Sequence, residues 1–441
     1  MVSTLSAGIK NLFHRNSCFR TTPSVSSMTF HHATLPNGLQ VVAELNDRAH
    51  SIASGFFVKA GSRDETTDIA GLSHFLEHMV FKGTPRRDAL AVNRDFDRVG
   101  AKHNAQTSEE DTVYHVTALP EYHERAFDVL ADILRPSLRE DDFETEKKVI
   151  IEEIKMYLDN PMSVAYEAAK ARHFGPHPLG QSILGSVESI EAMTAQGMRG
   201  YFEEKYSPSN MVLAFAGKGD WTKLLELVST RCGEWSGGST VRPVVAPHGQ
   251  NSFEAILRAD DNQQTLLAVS DGPPLESEDR YAAALLATIL GDHTGSRLYW
   301  TLIDPGYADG VEVSYQDYNG AGAFYSFLSC EPESAQENLE RIVKTYKEAM
   351  ADGIRPDELE QAKNKVLART VLRSERPMGR LMSLGFHWTY RREYMAVEQE
   401  LERYSGLTLT DLGRVMERWP LVPMTVVSVG PTTEISATSL V

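Results

Sequence analysis

Residues 71–84 read Gly71-Leu-Ser-His74-Phe-Leu-Glu77-His78-Met-Val-Phe-Lys-Gly-Thr84. On a helix, His74 and His78 are four apart, so both imidazoles project from one face and can grip one metal ion between consecutive turns. Glu77 is three from His74 and beside His78, within reach of a water on that metal. The flanking Phe75, Leu76, Met79, Val80 and Phe81 make the helix largely buried. Buried His and Glu side chains need partners, because unpaired they are costly.

The string is the reversed form of the H-E-x-x-H zinc signature. Zinc at a catalytic site takes a third protein ligand and leaves a fourth position for water. The best source is Asp141 to Tyr157, a strong helix pattern with Asp141 or Asp142 as N-terminal cap and Pro161 beyond its end. Glu146 and Glu153 are seven apart and share one stripe. Val149 and Ile150 lie between them on nearby faces, so the stripe is expected to turn inward. From these residues alone, Glu152 is as good a third ligand as Glu153.

Several blocks resemble the pitrilysin family of inverzincin metallopeptidases, which includes the mitochondrial processing peptidase β-subunit and its bacterial relatives. They are Leu35-Pro-Asn-Gly-Leu39, Gly61-Ser-Arg-Asp-Glu65, Gly71 to Thr84, Asn104-Ala-Gln-Thr107, Glu146 to Ile154 and Tyr206-Ser-Pro-Ser-Asn210. The resemblance covers residues 28–441 and is most specific in the first half. It selects Glu153, after Val149, as the glutamate ligand, and implies a second carboxylate at Glu146. It thus implies one Zn²⁺ per chain held by His74, His78 and Glu153. Glu77 is then the general base for a water attacking a peptide carbonyl, and Glu146 orients the ligand set or tunes the water.

The segments His103 to Ser108 and Thr112 to Thr117 read as a strand hairpin. In the family this strand lies beside the zinc and peptides add to its edge. Asn104 and Ala105 are therefore the expected substrate contacts. Without the resemblance Asn104 would be read as a turn residue.

The chain has 441 residues and a formal charge of −17. Its length allows large cores, and its charge argues against nucleic acid as a partner. The three cysteines, Cys18, Cys232 and Cys330, have no metal spacing and suggest no disulfide framework. No run of eighteen apolar residues predicts a membrane span. Residues 1–27 carry Lys10, Arg15 and Arg20 but no acid, the first being Glu44. That composition is like a mitochondrial transit peptide. The preferred reading is a disordered extension before a start at Met28, in a bacterial-type cytoplasmic enzyme; the alternative is a mitochondrial matrix protein.

The expected fold is α+β: two similar units, each a mainly antiparallel sheet packed with helices, together half of a clamshell peptidase chamber. Residues 28–235 form the zinc-binding unit, 236–252 a linker rich in Gly, Pro and Ser, and 253–441 a second, homologous unit without a metal site. In the first half, strands are expected near 39–46 and 53–60, helices near 88–98, 120–135, 141–159, 188–204 and 220–232, and a strand at 211–217. In the second, strands are expected near 253–258, 264–270, 311–318, 322–330 and 424–430, a helix near 277–290, and helices from 333. His293 is expected as a local cap or core residue. Family members often carry an Arg and a Tyr seven apart in this half. Here Asp304 and Val311 stand at those places, with Tyr307, Tyr315 and Arg297 nearby. A two-unit chain implies a second chain to complete the chamber, a homodimer by preference or a heterodimer with an inactive paralogue. The implied function is a zinc endopeptidase acting on peptides or unfolded, presequence-like segments; the alternative is a non-catalytic structural or peptide-capturing subunit.

Overall fold

The computed structural model describes residues 28–238 and 240–436. The first half runs β1 (Met28–Thr34), β2 (Gln40–Asn46), β3 (Ile52–Val58), α1 (Leu72–Val80), α2 (Ala89–Asp97), β4 (Lys102–Thr107), β5 (Thr112–Ala118), α3 (His123–Ile133), α4 (Glu140–Asp159), α5 (Pro161–Phe174), α6 (Val187–Ala192), α7 (Ala195–Lys205), β6 (Met211–Gly217) and α8 (Trp221–Cys232). The second runs β7 (Phe253–Leu257), β8 (Gln264–Asp271), α9 (Asp279–Gly291), β9 (Gly310–Tyr318), β10 (Ala321–Cys330), α10 (Ala335–Asp352), α11 (Pro356–Ser374), α12 (Pro377–Arg391), α13 (Val397–Ser405), α14 (Leu409–Arg418) and β11 (Thr425–Gly430). Among the described residues of 236–252 there is no helix or strand.

The strand orders are β1-β2-β6-β3-β5-β4 and β7-β11-β8-β10-β9. Remove β1 and the two orders match strand for strand, including one parallel pair in each, β2 with β6 and β7 with β11. Every other pairing is antiparallel. Each sheet buries one face under helices of its own half. The other face is covered by a helix from the opposite half. Ala165, Ala169 and Phe174 of α5 pack on Leu267, Val269 and Val427 of the second sheet. Leu381, Leu384 and Trp388 of α12 pack on Val42, Phe57 and Ala214 of the first. The halves are consecutive in sequence yet interlocked in packing, and a buried bidentate pair, Arg380 on Glu44 (2.7 and 2.5 Å), fastens α12 to β2.

Several local expectations are corrected. Strand β1 and helix α5 were not foreseen. Pro161 follows the end of α4 as expected, and it also opens α5, where its missing N–H costs nothing and Asn160 caps by accepting from Met162 and Ser163 N–H. The helix expected over 188–204 is two, because the Thr194 side chain caps a new start at Ala195. The helix expected from 120 begins at His123, after a 3₁₀ turn. Helix α4 starts at Glu140 with Arg139 in the cap position, so Asp141 and Asp142 lie in its first turn, where acids suit the helix dipole. Its stripe is inward at Glu146 and Ile150, but Val149 is half exposed. His293 is exposed just past the end of α9, neither cap nor core. The expectations for residues 1–27, including Cys18, lie outside the described residues.

Candidate metal centre

Helix α1 is preceded by Gly71 in the cap position, whose φ of +94° suits only glycine and where a Cβ would stand 2.4 Å from the Leu184 carbonyl oxygen. Glycine has no capping side chain, and Glu65 takes that part. Its carboxylate accepts from the N–H of Gly71 (2.7 Å) and of Ser73 (2.6 Å). Leu72, Phe75, Leu76, Met79 and Val80 anchor the helix in the core, and Phe75 stacks on Phe143 of α4 at 4.6 Å. Locked this way, α1 turns His74, Glu77 and His78 toward α4 and β4.

The ligand atoms of His74, His78 and Glu153 lie within 4.8 Å of one another, the one such three-residue cluster among the described residues. Glu153 Oε2 is 3.8 Å from His74 Nε2 and 3.7 Å from His78 Nε2. Two atoms ligating one tetrahedral zinc stand about 3.4 Å apart, so Glu153 is within a few tenths of an ångström of ligating distance from each histidine, and this N,N,O donor set suits the ion. Glu152, the rival ligand, points to solvent and pairs with Lys155 (2.8 Å).

The electrostatics suit a cation. Burial, with His78 beside it, pushes His74 down to about 3, so its imidazole is neutral. Its Nδ1 is buried without a hydrogen-bond partner among the described residues. Burial works against a proton on His78, but the hydrogen bond to Glu146 and the neighbouring carboxylates outweigh it and raise its pKa. His78 Nδ1–H donates to Glu146 Oε1 (2.9 Å), and Lys82 Nζ donates to Glu146 Oε2 (2.6 Å). These bonds overcome the cost of burial and hold Glu146 below the usual carboxylate range. Burial raises Glu77 despite a 2.5 Å hydrogen bond from the Thr107 hydroxyl. The Thr107 and Lys82 contacts were not foreseen. Nothing in helix periodicity pairs α1 with a strand residue thirty positions on.

His74, Glu77, Thr107 and Glu153 open on a cavity of about 630 Å³ with an apolar wall that includes Tyr157, Leu158 and Met162. A cavity of similar size at the Arg297–Glu358 ion pair has no such donor cluster. Asn104 and Ala105 lie on β4, the sheet-edge strand, with Asn104 exposed; Asn104 is not in a turn. The cavity is lined by their neighbours Gln106 and Thr107. Arg297, Asp304, Tyr307, Val311 and Tyr315 do not line it. Arg297 pairs with Glu358, Tyr307 lies under the Arg341 guanidinium (3.9 Å), and the Tyr315 hydroxyl donates to the Pro273 carbonyl (2.5 Å). In the second half, the matching helix pair α9 and α11 carries an ion cluster instead: Asp292 holds Lys365 (2.7 Å) and Arg369 (2.6 Å).

Residues 40–187 match the family model described as insulinase, peptidase family M16, and residues 192–366 the model described as the peptidase M16 inactive domain. Among similar proteins is one named an uncharacterized zinc protease in Mycobacterium tuberculosis, 32% identical over 392 residues that cover 87% of this chain and 89% of that one. Another, from Bacillus subtilis and named likewise, is 31% identical over 85% of this chain and 93% of its own length. Among solved structures, a protease from Helicobacter pylori superposes with a TM-score of 0.85 at 21% identity, over 92% of this chain and all of that one. A Pseudomonas fluorescens structure titled as a peptidase M16 inactive domain gives 0.86 at 20% identity, over 92% of this chain and 99% of that one. The solved structures speak for the fold.

Proposed function

This chain belongs to the M16 peptidase family, and from that premise we propose that it is a zinc-dependent endopeptidase cutting peptides or unfolded segments. The observation that carries the reading is the convergence of His74, His78 and Glu153, with Glu77 on the same cavity. One zinc per chain, held by those three side chains, would supply Lewis acidity and an acidified water. Glu77 takes the proton of the attacking water and returns it to the leaving nitrogen. The Thr107 hydroxyl binds Glu77 Oε2 and leaves Oε1 for that transfer. Glu146 fixes the His78 ring through Nδ1, so that Nε2 keeps its lone pair for the ion. A peptide adds to the free edge of β4 beside Asn104 and Ala105, reading backbone more than sequence. The apolar wall accepts side chains.

Two chains would enclose the chamber, by preference a homodimer, since this chain carries a full ligand set; an inactive paralogue is the alternative partner. No helix of the described residues is long and apolar enough to cross a membrane. We place the enzyme in a bacterial-type cytoplasm, with the mitochondrial matrix as the alternative. One observation favours a second reading, a subunit that captures peptides without cutting them: Arg297 and Tyr307 are engaged elsewhere. Incubation of a mixed unfolded-peptide library with the wild type, with Glu77→Gln and with chelated protein separates the two. Cleavage by the zinc-loaded wild type alone supports the peptidase; zinc-loaded protein that retains peptides uncut supports capture.

A further inference from the structure

The β4–β5 hairpin closes through Ser108-Glu109-Glu110-Asp111, with the Ser108 N–H donating to the Asp111 carbonyl (2.8 Å). Three consecutive acids in a surface turn would normally stay in water. Here all three are buried, and a buried carboxylate is costly unless it is answered. Each is answered from a different part of the chain. Glu109 takes Lys170 of α5 (3.0 Å), whose side chain is fully buried. Glu110 takes Arg63 (2.7 Å), Arg242 of the connecting segment (3.4 Å) and the N–H of Asn319 between β9 and β10 (2.9 Å). Asp111 takes the hydroxyl of Tyr390 on α12 at Oδ2 (2.7 Å), while its Oδ1 is buried without a hydrogen-bond partner among the described residues. The backbone is pinned as well. The Ser62 and Arg63 N–H groups donate to the carbonyls of Ser108 (3.3 Å) and Glu109 (2.7 Å), and Gly61 passes so close that a Cβ would stand 2.4 Å from the Ser108 oxygen. One residue before this turn, Thr107 binds Glu77.

We propose that the Glu109–Asp111 turn is a latch by which α5, the connecting segment and the second half of the chain together hold β4 and Thr107 in place over Glu77. Lys170, Arg242 and Tyr390 are then positioning residues for peptide hydrolysis, a role that rests on the peptidase reading. A half without metal ligands thereby acts on the reaction. Three of the contacts, from Arg242, Asn319 and Tyr390, come from beyond residue 240. Loosening one of them leaves the zinc ligands untouched and shifts the strand that carries the Glu77 partner.

The test is a double-mutant cycle between Tyr390→Phe and Thr107→Val on zinc-loaded protein, with deuterium exchange followed over residues 102–107. Tyr390→Phe should lower kcat about tenfold or more, since small displacements of reacting groups are expensive, and should speed exchange at 102–107 with zinc stoichiometry unchanged. In the Thr107→Val background the same change should have little further effect on kcat, because the two act through one contact. Arg242→Lys, which keeps the charge but loses the planar fork, should repeat the pattern and serves if Tyr390→Phe folds poorly. Equal losses in both backgrounds, or no loss in either, overturn the latch. If the zinc-loaded wild type cuts no peptide, the peptidase reading falls instead. The exchange at 102–107 then decides the latch alone, and an unchanged rate in both variants overturns it.

Discussion

Replacing Glu146 by Gln should weaken zinc binding about tenfold, and replacing it by Ala about a hundredfold. Glu146 Oε1 accepts from His78 Nδ1–H at 2.9 Å and Oε2 from Lys82 at 2.6 Å, with the side chain 4% exposed. The first bond orients the ring and directs its lone pair through Nε2, 3.7 Å from Glu153 Oε2. Gln keeps an acceptor oxygen for Nδ1–H but loses the negative charge that makes the ring a better donor to the ion. Ala loses both, and leaves Lys82 facing His78 without its counter-charge. At 1.4 kcal/mol per factor of ten, these losses correspond to about 1.4 and about 2.8 kcal/mol. Competition between the apo-protein and a zinc chelator of known affinity, at neutral pH, measures both. Affinities within about twofold of wild type would refute the orienting role. A loss in Glu146→Gln as deep as that in His78→Ala would make Glu146 a ligand.

Other expectations follow from the same contacts. Arg380→Met leaves the Glu44 carboxylate buried without its cation and should cost about 3–5 kcal/mol in urea denaturation. Loss should occur in one transition, because α12 closes the first sheet and α5 the second; a surviving folded half would contradict the interlock. Burial pushes the Asp111 carboxyl from its ordinary 3.8 up to about 6. The native state therefore keeps a proton that the unfolded chain releases. This contribution is fully present below about pH 4 and is lost as pH rises through about 6, a difference of about 3 kcal/mol. Asp111→Asn should remove that slope, as read from stability measured across this range. Zinc at a hundred times its Kd should add about 2.7 kcal/mol of stability to the wild type, seen as a higher Tm that chelation reverses, and none to a variant lacking both His74 and His78.

The helix carrying His74, Glu77 and His78 was legible because its pattern lies within one turn: two histidines four apart and a glutamate between them fix a face whatever the fold. Glu153 was not legible from spacing, since Glu152 offers the same carboxylate one position earlier; only the family resemblance separated them, and in the fold Glu152 faces water. The strands with dense apolar runs, such as Met211–Gly217, declared themselves, whereas Met28–Thr34, a half-exposed edge, carries no such pattern. Helix α5 was hidden by Pro161, which reads as a stop for the helix before it and equally as a start for the next. The exchange of α5 and α12 between sheets was beyond periodicity, which reveals that a helix has an apolar face and not which surface will cover it. The buried turn at 109–111 reads as ordinary solvated acids, because its partners lie dozens to hundreds of residues away.

The central claim is tested most directly by titrating zinc into the apo-protein while peptide cleavage is followed, in the wild type and in Glu77→Gln. Turnover of the wild type should rise in proportion to zinc and level off at one ion per chain, while Glu77→Gln binds the same single ion and cuts nothing. Cleavage that persists in fully chelated protein, or a Glu77→Gln variant as active as wild type, would contradict the account.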